Sequence, residues 1–218
     1  TLGSIRNQVT YKIEKSRKAV SSVKKVESKG QKRRRQIIDM SKQVLISEGY
    51  NGLVLRDIAE RIGITHGNLQ YYFPTKNDLL MAIFDEEIES YTKSMKKALS
   101  ATSSKKGRLN AIIDAGIKEM GRPEVALWRM MMSLSDHSPE MASILKKEND
   151  QYARELAKEL EFISPGLSNK RRQHIAWIIQ TILDGYGVKL AYEKVDSPEM
   201  QALASEIKVA LMLIVEDE

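Results

Sequence analysis

A chain of 218 residues, 42% hydrophobic and 29% charged, is long enough to bury one or two cores. It holds no cysteine, which excludes a disulfide framework, thiolate catalysis and Cys-based zinc sites. The formal charge of +6 is unevenly placed: residues 1–36 carry 12 Lys/Arg against two acids, which leaves the remainder at −4. Such a basic start on a mildly acidic body is the footprint of nucleic-acid binding or of a solvated tail.

Residues 1–30 read as a basic arm rich in Lys and Ser. A first helix is expected from about Arg33 to Glu48, with Ile37, Ile38, Ser41, Val44 and Leu45 on its inner face and Gly49 as its stop. Short helices follow over Arg56–Ile62 and Thr65–Phe73. Thr75-Lys76-Asn77-Asp78 has the pattern of a capping box with Asp in the Glu position, and opens a long helix to about Ser100. Later helices are expected near 106–120, 123–135, 138–162, 168–194 and 198–215. Ser138-Pro139-Glu140 and Ser197-Pro198-Glu199 each place a capping Ser, a Pro at the first helical position and an acid in the first turn. No alternating strand pattern and no Gly-rich phosphate loop appears, so the fold class is all-α.

The stretch LRDIAERIGITHGNLQYYFPTK, residues 55–76, carries the densest chemistry. Ile58, Ala59 and Ile62 face inward on its first helix, and Leu69, Tyr72 and Phe73 on its second. Gly63 supplies the left-handed residue that ends the first, Ile64 tucks inward, and Thr65 caps the second. That is the layout of a helix-turn-helix, whose second helix enters the major groove of duplex DNA. Residues 66, 67, 68, 70 and 71 then project outward. Asn and Gln side chains suit paired hydrogen bonds to adenine, and Gly67 permits close approach to the duplex.

The wider run, RRRQIIDMSKQVLISEGYNGLVLRDIAERIGITHGNLQYYFPTKNDLLMAIF, resembles the DNA-binding domain of the TetR family of bacterial transcriptional regulators. The matching features are a helix ending in EGY, the RDIAERIGI helix and turn, G-N-L-x-Y-Y-F, and K-x-x-L-L at the start of the next helix. The resemblance covers roughly residues 33–84 and implies DNA contacts from Arg56, Thr65, His66, Gly67, Asn68, Gln70, Tyr71 and Lys76, with Tyr72 partly in the core. Gln70 stands where the family often has Tyr, and Val54 where it usually caps the first short helix with Thr or Ser. The basic arm leads into the first helix, which assigns phosphate or minor-groove contacts to Lys32, Arg33 and Arg34.

The resemblance also implies three regions: a basic arm over 1–30, a DNA-binding domain over 31–78, and a helical ligand-sensing and dimerisation domain over 79–218. One helix-turn-helix reads a half-site, so a homodimer on a near-palindromic double-stranded operator is expected. The last two helices carry the implied dimer contacts, Ile178, Ile182, Gly185, Leu203, Ile207 and Leu211. An unknown small-molecule effector is expected to release the DNA. Trp128, Met131, Met132, Trp177 and Tyr186 are the candidates for an apolar or cation-accepting pocket, or else for plain core. No cofactor, metal, enzymatic activity or membrane contact is expected: no nucleophile elbow is present, and ALMLIV is too short to span a bilayer. With no signal-peptide pattern, the expected location is cytoplasmic. The competing reading is a helical protein whose basic arm binds nucleic acid or anionic membranes without specificity.

Overall fold

The computed structural model describes residues 27–216, the last of them by its backbone alone. Among these residues there are nine helices and no strands. They are α1 (Lys29–Gly52), α2 (Leu55–Arg61), α3 (His66–Tyr72), α4 (Lys76–Ser100), α5 (Lys105–Met120), α6 (Val125–Ser135), α7 (Pro139–Ile163), α8 (Asn169–Lys189) and α9 (Pro198–Glu216). The all-α expectation holds. No helix among the described residues is long and apolar enough to cross a membrane.

The chain divides between Gln36 and Ile37. Ahead of that point, Ser28 and Gln31 bond each other reciprocally at the start of α1, and Arg33 donates to Gln36 Oε1 at 2.8 Å. Arg35 pairs with Glu27. Lys32 and Arg34 are exposed on the same turns. Most of the basic arm, residues 1–26, lies outside the described residues.

From Ile37 onward two apolar cores form. The first joins Ile37, Ile38, Val44 and Leu45 of α1 to Ile58 and Ala59 of α2, Leu69 of α3, and Leu79, Leu80, Ile83 and Phe84 of α4. Ser41 is the polar residue within it, and bonds back to the Ile37 carbonyl at 2.7 Å. This core does not end with the short helices: Leu127 and Met131 of α6 and Met141 of α7 belong to it. The second core is built by Leu109, Ile112 and Ile113 of α5, Leu156 and Leu160 of α7, Ile175, Ile179 and Leu183 of α8, and Leu211 and Val215 of α9.

Local chemistry sets the boundaries. Gly49 leaves the helical region at φ 73° and ψ −172°, so the chain bends there and resumes helical backbone to Gly52. The capping box forms as the sequence implies: Asp78 N–H donates to Thr75 Oγ1 at 3.1 Å, and Thr75 N–H to Asp78 Oδ2 at 2.9 Å. Ser138 and Ser197 accept from Met141 N–H and Met200 N–H, each at 3.3 Å. α8 stops at Lys189, short of the expected 194, because residues 190–196 turn instead of continuing the helix.

Candidate nucleic-acid interface and an adjoining cavity

The α2–turn–α3 unit is held by a few defined bonds. Gly63 takes φ 70°, and the N–H groups of Gly63 and Ile64 turn back onto the carbonyls of Glu60 (3.0 Å) and Ala59 (2.9 Å). Asn68 N–H donates to Thr65 Oγ1 at 3.1 Å, so the hydroxyl caps α3. Val54 occupies the corresponding position on α2 in extended conformation and offers no side-chain cap. Arg61 forks onto both oxygens of Glu48 at 2.7 and 3.1 Å, tying α2 to α1 across the surface.

The burial pattern sorts α3 into two faces. Leu69 is fully buried and Phe73 is 3% exposed, while Tyr72 is half-buried against the core. Gly67, Asn68, Gln70 and Tyr71 face solvent, together with Thr65 at the helix start; His66 is half-buried. Tyr71 stands 82% exposed and meets the Tyr72 ring edge-on, with centroids 5.2 Å apart. A side chain built at Gly67 meets nothing within 4 Å, so packing inside the protein does not require glycine there. Arg56 is exposed at the start of α2. Lys76 is half-buried: its ammonium donates to the Tyr50 carbonyl at 2.7 Å and sits 3.7 Å above the Tyr50 ring. Burial holds it below the usual lysine range.

Farther along α4 the chain borders a cavity of about 360 Å³ lined by α4, α5, α6, α7 and α8. Of the residues read as pocket candidates, Trp128 and Met131 line it. The others are placed elsewhere. Met132 is one residue, about 100° of helix, past Met131 and points outward. Trp177 is 50% exposed on α8, with His174 stacked on it at 5.7 Å. Tyr186 is buried but does not border the cavity. The sequence reading missed Tyr91, Tyr152 and Asp184, which do border it. Nothing in their local patterns marks them, because the cavity is assembled from five helices.

Burial pushes the phenols of Tyr91 and Tyr152 up, and raises the Asp184 carboxyl to about 6. Among the described residues no cation lies within ion-pairing reach of Asp184. Glu87 is tied by Lys42 of α1 at 2.8 Å, and Arg122 approaches it at 3.7 Å. No group of three His, Asp or Glu among the described residues is arranged to hold a metal.

The expected dimer residues also separate. Ile178, Ile182, Leu203 and Ile207 are half-buried and Gly185 is exposed, but Leu211 is fully buried in its own chain's core. It therefore offers no surface to a partner. The solvent-facing stripe of α8 is instead His174, Trp177, Thr181, Gly185 and Val188, and that of α9 is Ala202, Glu206, Val209 and Leu213. α9 is apolar on two sides, so periodicity alone does not say which side faces inward.

A family model described as bacterial regulatory proteins, tetR family, matches residues 37–83. The HTH-type transcriptional regulator BetI of Burkholderia mallei is 24% identical over 179 residues, covering 80% of this chain and 90% of that one. A TetR transcription regulator from Haloarcula marismortui superposes with a TM-score of 0.69 at 21% identity, over 84% of this chain and 96% of that one. A protein from Saccharomonospora viridis, described as a transcriptional regulator and solved in complex with choline, superposes with a TM-score of 0.71 at 18% identity. It covers 85% of this chain and 96% of its own. The structural likenesses carry the fold.

Proposed function

Because this chain is a regulator of the TetR family, we propose that it binds a near-palindromic operator as a homodimer, represses from it, and is released by a small molecule held in the α4–α8 cavity. The observation that carries the reading is the two-faced α3. Leu69 and Phe73 anchor it in the core while Gly67, Asn68, Gln70 and Tyr71 stand in solvent. A helix presented in that way is shaped for the major groove, where Asn and Gln read adenine and hydroxyls reach phosphates.

In this reading Arg56 and Lys76 supply phosphate contacts, and Lys32, Arg33 and Arg34 are the further cations assigned to DNA. In the free protein the Lys76 ammonium rests on Tyr50, so it is pre-positioned beside the end of α1. DNA binding requires it to exchange the Tyr50 carbonyl for a phosphate oxygen or to serve both at once.

Two protomers meet, in this reading, through the exposed stripes of α8 and α9. Trp177, Val188, Val209 and Leu213 are between 44% and 58% exposed, an apolar set of the kind that marks an interaction surface. Release follows from shared elements. α4 begins with Lys76, contributes Leu80, Ile83 and Phe84 to the first core, and then borders the cavity through Glu87, Ile88 and Tyr91. Trp128 and Met131 likewise touch both the first core and the cavity. An occupant that prefers one setting of α4 and α6 biases α3 by its differential affinity, typically ~1–3 kcal/mol.

The test is binding of the protein to duplex fragments from upstream of its own gene, against a scrambled duplex, across a salt series. A preference for one fragment that persists at high salt, with two protomers per site, is the expected result. Equal binding to every duplex, collapsing with salt, would instead assign the affinity to the basic arm.

A further inference from the structure

The cavity's wall is acidic. Seven of its bordering residues are Asp or Glu and two are Lys. Part of this charge is already answered within the protein. Arg122 lies against Glu87, Glu119 and Glu124, at 3.7, 2.5 and 3.3 Å, and Arg108 holds Glu159 at 2.5 Å. Asp184 has no such answer. It projects from α8, between Leu183, which also borders the cavity, and the exposed Gly185.

The same wall is aromatic. Tyr91 and Tyr152 lie with ring centroids 5.6 Å apart, and Trp128 comes from α6. The Tyr91 and Tyr152 side chains lie against each other, and both feel the field of Asp184. Methionine and leucine side chains supply the remaining apolar surface, including Met95, Leu99, Met120 and Met131.

An uncompensated carboxylate, three aromatic faces and an apolar floor fit one chemical class. A carboxylate or phosphate ligand would meet a negative field at the wall. A neutral hydrocarbon would leave Asp184 unanswered. An organic cation meets both the carboxylate and the ring quadrupoles, which attract it more strongly once water is excluded. We propose that the cavity takes an organic cation with an apolar body, its charged end set against Asp184 and the Tyr91 and Tyr152 rings, and its hydrocarbon along Trp128 and the methionines. This assignment rests on the reading of the cavity as the effector site.

The full chain is titrated calorimetrically, without DNA, with three probes that share one tail: decyltrimethylammonium, decanol and decanoate. The cation is expected to bind about tenfold tighter than the alcohol, with decanoate weakest. Asp184→Asn is expected to lower cation affinity about tenfold while leaving decanol unchanged, which separates a lost charge contact from a damaged cavity. A preference for decanoate or decanol, no binding of any probe, or undiminished cation binding by Asp184→Asn would overturn the proposal. The charge series on the unaltered protein decides the matter even if the variant does not fold. Operator release is scored separately. A cation that binds but leaves DNA in place would sink the release mechanism and spare the cation assignment; DNA binding without cation binding would do the reverse.

Discussion

In the proposed function Asn68 and Lys76 do different work. Asn68 is exposed on α3, with only its backbone N–H engaged by the Thr65 cap. Asn68→Ala is therefore expected to relax preference at particular base pairs, at about 1–3 kcal/mol per lost paired contact, with little effect on scrambled DNA. Lys76→Ala is expected to weaken binding to all duplexes alike. Equal losses for both variants on operator and scrambled duplexes, in parallel titrations, would remove the base-reading role from Asn68. Val54 makes a different kind of prediction. It is 44% exposed at an uncapped helix start, so Val54→Thr adds a hydroxyl acceptor at little packing cost. A gain of about 1 kcal/mol, read as a melting temperature higher by a few degrees, is expected. Asp184 supplies the pH test. Its folded-state value of about 6 stands above the ordinary 3.8 because of burial, so its contribution to stability is full below about pH 4 and lost as the pH rises through 6. The groups that feel its field are Tyr91 on α4 and Tyr152 on α7, and Glu119 of α5 acts on the same Tyr91. Asp184→Asn should then be more stable than the unaltered protein at neutral pH, by on the order of 2–3 kcal/mol, and no more stable near pH 4. Melting curves of both proteins across that range check it.

At the scale of the element, α2 and α3 are seven residues each, too short to hold as isolated helices. Their stability comes from the side chains they bury. Ile58 and Leu69 are fully buried in the first core, and truncating either to Ala is expected to cost about 2–5 kcal/mol. Denaturant melts should show the loss, and DNA affinity should fall with it because these contacts hold α3 in place. Gly67 behaves oppositely. Its open surroundings mean that Gly67→Ala fits without a clash and favours the helix by up to about 1 kcal/mol. If close approach to DNA is the reason for glycine there, that variant melts no lower than the parent yet binds operator more weakly. Unchanged operator affinity would leave the residue without a role at the interface.

For the whole molecule, the decisive feature is that the first core does not stop where the short helices stop. Leu127, Met131 and Met141 pack into it from helices that follow α4. The expected division between residues 78 and 79 falls inside α4, two residues past its first, so the two regions expected on either side share one helix and not a linker. Assembly is tested on the exposed stripes. Trp177→Asp combined with Val209→Glu places two charges on the proposed dimer face without touching either core. A shift from dimer to monomer in light scattering is expected, with operator affinity falling because two half-sites are no longer read together. A dimer that persists in the double variant would move the interface elsewhere.

The helices, their caps and the outward residues of α3 were determined locally, and so were legible. Gly63 at positive φ, Thr65 and Ser138 as caps, and the Thr75–Asp78 box depend on residues within three or four positions of each other. Helical spacing likewise separates Leu69 from Gln70. The cavity and the outer stripes were decided only by tertiary packing. Tyr91, Trp128, Tyr152 and Asp184 come from four helices, and no periodicity within one helix says which of its apolar faces meets a neighbour. That is why Leu211, expected at a partner surface, lies in its own core, and why Trp177, expected in a pocket, stands on the outside. A helix that is apolar on two sides can be turned either way, and the choice belongs to the helices packed against it.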